Sequence, residues 1–188
     1  MYFKRIDEII FLEMGGDNMK ERIIVIGSPG SGKSTFAKQL SQKMNIPAFH
    51  LDKLFWKNDN EMVEQEEFVR QIEKIIAENE TWVIDGNYRG SLPLRLEKAD
   101  LVIWLKAPRW KCILNVIKRY FKLLKNEDTG GNPKSLRFEF LKYIWDFPKN
   151  HFPSIMEAKA HYSNRVEWIE LNGFKEIARF MKENKINH

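Results

Sequence analysis

The sequence predicts an α/β protein of three layers, in which helices flank a five-stranded parallel sheet. Five short apolar runs, rich in branched and aromatic residues, alternate with segments whose apolar residues recur at helical spacing. Strands that alternate with helices in this way form parallel sheets, because each helix returns the chain to the same end of the sheet. The length of 188 residues suits one well-cored domain and is short for two.

The glycine-rich segment at residues 27–35, which reads GSPGSGKST, is the most informative stretch of the chain. Four of its positions, Gly27, Gly32, Lys33 and Ser34, satisfy the pattern G-x-x-x-x-G-K-[ST] of a phosphate-binding loop. The context fits too, because an apolar strand precedes the segment and a helical pattern follows it. The segment therefore predicts a P-loop NTPase fold and a bound nucleoside triphosphate.

The residue types of this loop suit phosphate chemistry. Glycines let the backbone curl so that successive N–H groups point at phosphate oxygens, and the following helix adds its free N-terminal N–H groups. Lys33 supplies a mobile positive charge for the β- and γ-phosphates, and the Ser34 hydroxyl is a predicted Mg²⁺ ligand. The predicted nucleotide-binding residues are Gly27, Ser28, Pro29, Gly30, Ser31, Gly32, Lys33, Ser34 and Thr35.

Residues 46–52 are predicted to form a second strand that ends in the carboxylate of Asp52. Ligands of parallel α/β sheets gather at the carboxyl ends of the strands, so Asp52 is a candidate contact for a substrate or for the Mg²⁺ shell. A helix cap or an ordinary surface acid is the alternative. His50 is more often structural than a contact at such a position, and Phe55 and Trp56 suit either a pocket wall or the core.

A third strand at 82–84 ends in another acid, Asp85. An acid beside the phosphate loop either holds Mg²⁺ through water or orients the loop hydroxyl, which here is that of Ser34. The next residue is Gly86, whereas ATPase motors usually place a glutamate there to activate water. This difference favours phosphoryl transfer to a bound acceptor over hydrolysis.

The remaining elements are predicted from the same periodicities and from breaker residues. The helix that opens near Pro108 has one apolar face and a basic remainder that includes Arg119. Residues 126–133 are rich in breakers and indicate a hinge or a lid tip, and Pro148 and Pro153 interrupt the chain after the next helix. The other predicted elements are helices at 68–79, 92–98 and 138–145, strands at 100–105 and 166–171, and a C-terminal helix after Gly173.

Composition narrows the class of protein. No apolar run approaches the roughly 20 residues that span a bilayer, and charged residues interrupt the first eleven positions, unlike a signal peptide. The single cysteine, Cys112, excludes an internal disulfide and is predicted to be buried. The cytoplasm is therefore the expected compartment. A net charge of +5 suits anionic ligands such as nucleotides, and the basic residues form no dense block of the kind that binds nucleic acid.

Residues 1–18 differ from the rest of the chain. They lead into Gly15-Gly16-Asp17-Asn18-Met19, which can be encoded by a purine-rich ribosome-binding sequence followed by a start codon. The hypothesis is that Met19 is the natural start and that 1–18 is a leader extension, which leaves one domain at 19–188. A genuine N-terminal helix is the alternative, because Phe3, Ile6 and Ile10 have helical spacing.

The segment Asp85-Gly86-Asn87-Tyr88-Arg89 resembles the Asp-Gly-Phe-Pro-Arg segment of adenylate kinases. Taken with the loop at 27–35, His50-Leu51-Asp52, Phe55-Trp56 and residues 82–88, the sequence is more similar to bacterial DNA topology modulation proteins, which are adenylate-kinase-like P-loop proteins. The resemblance covers residues 20 to 125 well. It implies a kinase-like fold with ATP and Mg²⁺ as ligands.

The resemblance also implies roles for particular residues. Arg89 falls where adenylate kinases hold the acceptor phosphate, and Arg119 falls where they place a lid arginine against the transferring phosphoryl group. Asp85 falls on the acid that organises Mg²⁺. Asn87 and Tyr88 replace the Phe-Pro of adenylate kinases, so selectivity for AMP does not carry over. Further candidates for lid cations are Arg137, Lys142 and Lys149.

The leading functional prediction is a small-molecule or nucleotide kinase that transfers the γ-phosphoryl group of ATP to a bound acceptor. The acceptor is expected at about 53–80 and a lid at about 122–140. Asp52 is a predicted general base if the acceptor is a hydroxyl, whereas an ionised phosphate needs no base and depends more on Arg89. The predicted catalytic residues are Lys33, Asp52, Asp85, Arg89 and Arg119, and the predicted metal ligands are Ser34 and Asp85.

The alternative prediction is a nucleotide-dependent regulator that binds DNA or influences its topology. The basic net charge favours it, but the sequence has no recognisable helix-turn-helix and no dense basic patch. A GTPase switch is weaker still, because the guanine-reading Asn-Lys-x-Asp is missing. Nucleic acid is thus not the favoured partner, and a membrane is not expected.

Overall fold

A computed structural model describes residues 21–57, 61–124 and 136–183 of the chain. The predicted extension at 1–18 lies outside the described residues, and so does most of the predicted lid, at 125–135. Five strands and seven helices are described. The strands are β1 (Arg22–Gly27), β2 (Ala48–His50), β3 (Trp82–Asp85), β4 (Leu101–Lys106) and β5 (Glu167–Asn172). The helices are α1 (Lys33–Met44), α2 (Leu51–Phe55), α3 (Gln65–Glu78), α4 (Leu92–Leu96), α5 (Arg109–Leu124), α6 (Phe138–Tyr162) and α7 (Gly173–Glu183).

All five strands are parallel and lie in the order β2-β3-β1-β4-β5. β1 is therefore the central strand, and the phosphate loop follows its carboxyl end. In the register of the sheet, Asp85 lies opposite both Val25 of β1 and His50 of β2. This topology brings the ends of β1, β2 and β3 to one edge of the sheet, where ligands of such folds bind. The predicted α/β fold class is confirmed.

Side chains of the central strand alternate between two cores, one on each face of the sheet. Ile23 and Val25 face the core that α1 and α7 cover, whereas Ile24 and Ile26 face the core that α3, α4 and α6 cover. All four of these side chains are fully buried. A third, smaller cluster joins α5 to α6 through Cys112, Val116 and Ile144.

The predicted end of the second strand at Asp52 is wrong. β2 stops at His50, and Asp52 lies in the first turn of α2. Residues Phe49 to Asp52 alternate apolar and polar as a strand would, so the periodicity could not separate a strand from the start of a helix. Leu51 is fully buried at this turn, which anchors α2 against the sheet.

The predicted interruption of the chain at two prolines is also wrong. Pro148 and Pro153 both lie inside α6, which runs unbroken for 25 residues. Each proline removes one backbone donor, but the apolar face of the helix continues past both of them, with Ile144, Phe147 and Ile155 buried. Packing of this face on the sheet and on α5 therefore outweighs the loss of the two hydrogen bonds.

Other element boundaries agree with the predictions to within a few residues. In the described parts of the chain, no helix combines the length and the apolar character needed to cross a bilayer.

Candidate active site

The phosphate loop presents its backbone and its lysine to an anionic ligand. Lys33 Nζ donates a hydrogen bond to the carbonyl oxygen of Ser28 at 3.1 Å. Burial lowers the pKa of Lys33, and the carboxylates of Asp52 and Asp85 act in the opposite direction. The hydroxyls of Ser28 and Ser31 are buried and have no hydrogen-bond partner among the described residues. Buried donors without partners, next to a lysine, suit phosphate oxygens.

Helix α5 packs directly against this loop, and the contact requires a glycine at position 30. Gly30 has a φ of 78°, and a Cβ atom there would lie 2.3 Å from the carbonyl oxygen of Cys112. Asn115 Nδ2, about one turn further along α5, donates to the Gly30 carbonyl oxygen at 2.9 Å. The predicted burial of Cys112 is confirmed, and its backbone helps to shape the loop.

Asp85 connects the phosphate loop to the neighbouring strand. Its carboxylate is 4% exposed, and Oδ2 accepts a hydrogen bond of 2.7 Å from Ser34 Oγ. The other oxygen, Oδ1, contacts Nδ1 of His50. The sequence favoured a structural role for His50, and the structure places it against the acid that orients Ser34.

Ser34 and Asp85 fit a Mg²⁺ ion that is shared with a nucleotide. Both offer hard oxygen donors, which is what this ion prefers. Among the described residues, no three His, Cys, Asp or Glu side chains gather closely enough to hold a metal by themselves. Phosphate oxygens and water would therefore supply the remaining ligands, as is usual for Mg²⁺ at nucleotide sites.

Asp52 lies in the first turn of α2, where its charge, like that of Asp85, acts on Lys33. Its Oδ1 accepts a hydrogen bond of 2.7 Å from the Tyr88 hydroxyl. Burial raises the pKa of Tyr88, and the charge of Asp52 raises it further, so this hydroxyl stays a donor. Phe55 and Phe68 pack on the Tyr88 ring, with centroids 4.9 Å and 4.8 Å away. Phe55 thus belongs to the core that holds Tyr88 in place.

Arg119 joins the same group of charges. Burial lowers its pKa, and the carboxylate of Asp52 opposes this shift. The positive charge of Arg119 also contributes to lowering the pKa of Lys33. The structure therefore brings together Lys33, Asp52 and Arg119, which lie on three different helices.

One face of α6 carries a row of aromatic side chains whose electrostatic link to this group sequence reasoning missed. Tyr143, Phe147 and His151 recur every four residues, and the rings of Phe147 and His151 stack at 4.3 Å. Burial raises the pKa of Tyr143, with a further contribution from Asp52. Burial also lowers the pKa of His151, and the charge of Arg89 adds to that effect. The charges of Asp52 and Arg89 therefore act on side chains of this face of α6.

Two further residues, Asn87 in the loop after β3 and Arg95 in α4, support the site, although the sequence assigned neither of them such a role. The side-chain amide of Asn87 pairs with the backbone of Gly27: the Gly27 N–H donates to Asn87 Oδ1 at 3.0 Å, and Asn87 Nδ2 donates to the Gly27 carbonyl oxygen at 2.8 Å. The buried guanidinium of Arg95 lies beneath the loop and donates to its backbone carbonyls. Position 86 requires a glycine, because its φ is 137° and because a Cβ atom there would lie only 2.8 Å from the Leu51 Cβ.

The remaining predicted residues lie at the edge of the site. Arg89 is exposed, in a short 3₁₀ turn at Arg89–Ser91, and Thr35 is exposed in the first turn of α1. The three candidate lid cations are exposed at the start of α6 or along it: Arg137, Lys142 and Lys149.

A cavity of about 790 Å³ opens beside the phosphate loop. It begins at Ser31 and Gly32 and runs between α1 and α7, where Thr35, Phe174 and Ile177 line it. Its size is within the range of small-molecule sites.

Comparisons with known proteins support a P-loop kinase-like domain. Residues 23–114 match the family described as an AAA domain, AAA_18. A shikimate kinase of Clostridium botulinum (strain ATCC 19397 / Type A) is 28% identical over 129 residues, covering 58% of this chain and 74% of the relative. The shikimate kinase of the Loch Maree strain is 29% identical with the same coverage.

A solved structure supports the same fold. The gluconokinase of Sinorhizobium meliloti 1021 superposes with a TM-score of 0.52, covering 88% of this chain and 89% of that one. Its sequence identity is 14%, so the likeness shows the fold alone. The comparisons support the coarser class, a P-loop kinase, and do not show the narrower resemblance to DNA topology modulation proteins.

Proposed function

We propose that this chain is a small-molecule kinase that transfers the γ-phosphoryl group of ATP to a hydroxyl of a small polar acceptor. The observation that carries the proposal is the position of Asp52, which lies among Lys33, Arg119 and the Tyr88 hydroxyl at the carboxyl edge of the sheet. Kinase homologues support a phosphotransferase, and the two kinds of relative are named for kinases of shikimate and of gluconate.

The nucleotide side of the site follows from the loop. Its backbone N–H groups and Lys33 would hold the β- and γ-phosphates, and Ser34 and Asp85, which are hydrogen-bonded to each other, would hold Mg²⁺. When bound there, Mg²⁺ would supply positive charge that offsets the negative charge of the phosphates. The cavity between α1 and α7 begins at the loop, and we assign it to the nucleoside end of ATP.

The acceptor side follows from Asp52 and its neighbours. Asp52 accepts the proton of the acceptor hydroxyl while the hydroxyl oxygen forms a bond to the γ-phosphorus. The bond between this phosphorus and the β,γ-bridging oxygen breaks, and ADP leaves with the electron pair. Arg119 and Lys33 stabilise negative charge on the transferring group, and the proton on Asp52 later passes to water.

A hydroxyl acceptor is favoured over a phosphate acceptor because the charge that acts on the loop lysine from this side is the carboxylate of Asp52. A carboxylate repels an ionised phosphate but accepts the proton of an alcohol. Arg89 and His151 lie together further out, where they suit an anionic group elsewhere on the acceptor. We therefore infer a hydroxylated acid or a similar small polar molecule.

The proposal also includes closure of the site by a lid and a location in the cytoplasm. Residues 53–80 and the face of α6 flank the acceptor, and a lid at 122–140 excludes water. The resemblance to DNA topology modulation proteins and to adenylate kinases rests on the sequence, and the comparisons do not favour a DNA-binding regulator. A cytoplasmic kinase fits the single cysteine.

The test is ADP formation from ATP and Mg²⁺ with a panel of hydroxy acids, sugars and nucleoside monophosphates. We expect one hydroxylated class to stimulate ADP formation. Lys33→Ala should abolish the stimulation, whereas Lys38→Ala, which removes an exposed lysine from the same helix, should leave it intact. Stimulation by nucleoside monophosphates alone would contradict the hydroxyl acceptor, and a flat background with every compound would contradict the kinase.

A further inference from the structure

The side chain of Arg95 is fully buried beneath the loop of residues 86–91, between β3 and α4. Its guanidinium donates to the carbonyl oxygens of Gly86 at 2.9 Å, Asn87 at 2.8 Å, Tyr88 at 3.2 Å and Ser91 at 3.3 Å. Burial lowers the pKa of Arg95 to about 9, because little water reaches the guanidinium to solvate its charge.

Such a residue needs an explanation, because a buried charge is costly unless it is well hydrogen-bonded. A helix at this place could bury a leucine on the same apolar side, as Leu92 and Leu96 do in α4. The chain instead buries a planar guanidinium group, which donates hydrogen bonds to four backbone carbonyl oxygens of one loop. The shape of the loop is therefore what Arg95 stabilises.

That shape departs from ordinary backbone. Gly86 has a φ of 137°, and Tyr88, which is not a glycine, has a φ of 24°. Residues in such conformations persist only where their surroundings hold them. Arg95 donates hydrogen bonds to the carbonyl oxygens of both residues, so it can stabilise these two backbone conformations.

The loop in turn contacts both halves of the site. The side-chain amide of Asn87 forms hydrogen bonds with both the N–H and the carbonyl oxygen of Gly27, the first glycine of the phosphate loop. The next residue, Tyr88, donates its hydroxyl to Asp52. Adjacent residues of one loop thus fix the start of the nucleotide site and the proposed acceptor base.

We propose that Arg95 is a positioning residue for phosphoryl transfer: by holding the 86–91 loop, it sets the position of Gly27 through Asn87 and the orientation of Asp52 through Tyr88. The Asp52 half of this inference rests on the proposed function, whereas the Gly27 half requires only that the loop bind nucleotide. A lysine cannot replace Arg95, because one ammonium cannot reach four carbonyls that a planar guanidinium reaches together.

The experiment measures two quantities on each variant: the dissociation constant for ADP with Mg²⁺ by calorimetry, and the melting temperature. The variants are Arg95→Lys and Asn87→Ala. Arg22→Lys is the matched control, because the Arg22 guanidinium pairs with Asp100 at 2.7 Å and 3.1 Å at the opposite end of β1. A purely structural role of Arg95 would lower the melting temperature and leave the dissociation constant of the folded protein unchanged.

We expect Arg95→Lys and Asn87→Ala each to weaken ADP binding about tenfold or more, which corresponds to about 1.4 kcal/mol. Arg22→Lys should lower the melting temperature without changing the dissociation constant. Unchanged ADP binding by folded Arg95→Lys would overturn the proposal. If Arg95→Lys does not fold, Asn87→Ala decides, and unchanged ADP binding by that variant overturns the proposal as well.

The same series separates this inference from the proposed function. A wild-type protein that binds no ADP would overturn both. A wild-type protein that binds ADP, with variants that bind it equally well, would overturn only the role of Arg95. Once an acceptor is known, Arg95→Lys should lower kcat as well as raise the KM for ATP, because Asp52 also loses its orientation; a change in KM alone would contradict the Asp52 half.

Discussion

At the scale of single residues, the proposed chemistry depends on one carboxylate, that of Asp52, and on two cations whose charges interact with it. Asp52 receives a hydrogen bond from Tyr88 and lies near Lys33 and Arg119. Tyr88 therefore fixes one carboxylate oxygen, which leaves the other oxygen for a substrate proton. This arrangement is what separates a hydroxyl acceptor from a phosphate acceptor.

Replacing Asp52 with asparagine removes the base and keeps the shape of the side chain. We expect kcat to fall by about 10² to 10⁴, the usual contribution of a positioned base. Arg89→Ala should instead raise the KM for the acceptor and change kcat much less, because Arg89 lies at the exposed edge of the site. Steady-state kinetics on both variants check this difference. A small effect of Asp52→Asn combined with a large loss of kcat in Arg89→Ala would indicate a phosphate acceptor.

Replacing Arg119 with alanine tests the proposed stabilisation of the transition state. An arginine that contacts the transferring phosphoryl group contributes about 10³ to 10⁵ in rate. We expect a loss of that order in kcat for Arg119→Ala. Lys118→Ala removes the exposed neighbouring cation on α5 and serves as the control with near-normal turnover. If Arg119→Ala retained most of its turnover, Arg119 would have no part in the mechanism.

The sequence predicts which residues would surround the phosphates, but it does not predict how the structure holds those residues in place. Lys33, Ser34 and Asp85 are visible because their types and spacing are dictated by the chemistry. The pairing of Asn87 with Gly27 could not be predicted, because it depends on β1 and β3 being neighbours in a register that places Val25 opposite Asp85. Two residues further along, that register brings position 87 level with position 27.

At the scale of elements, α6 shows where sequence reasoning failed and why. The prolines at 148 and 153 predicted interruptions, so Tyr143 and His151 were not recognised as neighbours. In an unbroken helix, residues eight apart lie on one face, and the rings of these two residues are in contact, with centroids 5.3 Å apart. Helix breakers are local signals, and the buried face of a long helix can override them.

The carboxylate of Glu170 links the edge strand β5 to neighbouring elements. Its charge should make the stability of the folded protein depend on pH. Glu170 contacts Lys106 of β4 and accepts a hydrogen bond of 2.9 Å from Lys159 of α6. Partial burial raises the pKa of Glu170, but the hydrogen bonds from the two lysines lower it more. The folded state therefore favours the charged form of Glu170.

The lowered pKa of Glu170 predicts how its contribution to the free energy of unfolding changes with pH. The contribution of Glu170 is fully present above its ordinary pKa of 4.5 and is lost as the pH falls through the lowered value of the folded state. At neutral pH, Glu170→Gln should lower the free energy of unfolding by up to about 1 kcal/mol, since the group is partly exposed to solvent. Urea unfolding of both proteins should give a difference that shrinks with acidification. A difference that is constant with pH would exclude this ion pair as its cause.

At the scale of the whole molecule, the fold could be predicted because its signals are periodic and repeated. Five apolar runs and the loop at 27–35 specify a parallel sheet with its ligand edge after β1. Strand order and the contacts of α6 could not be predicted, because they depend on packing between distant parts of the chain. The fold is thus the most predictable level, and the acceptor side is the least.

The most direct test of the central claim, transfer of a phosphoryl group to a bound hydroxyl, follows the label of [γ-³²P]ATP. The protein is incubated with Mg²⁺ and the hydroxylated compound that most stimulates ADP formation, and the labelled products are separated. The kinase assignment predicts label on that compound in an amount equal to the ADP formed, and no transfer by Lys33→Ala. Label found only in inorganic phosphate would contradict it, because the protein would then hydrolyse ATP.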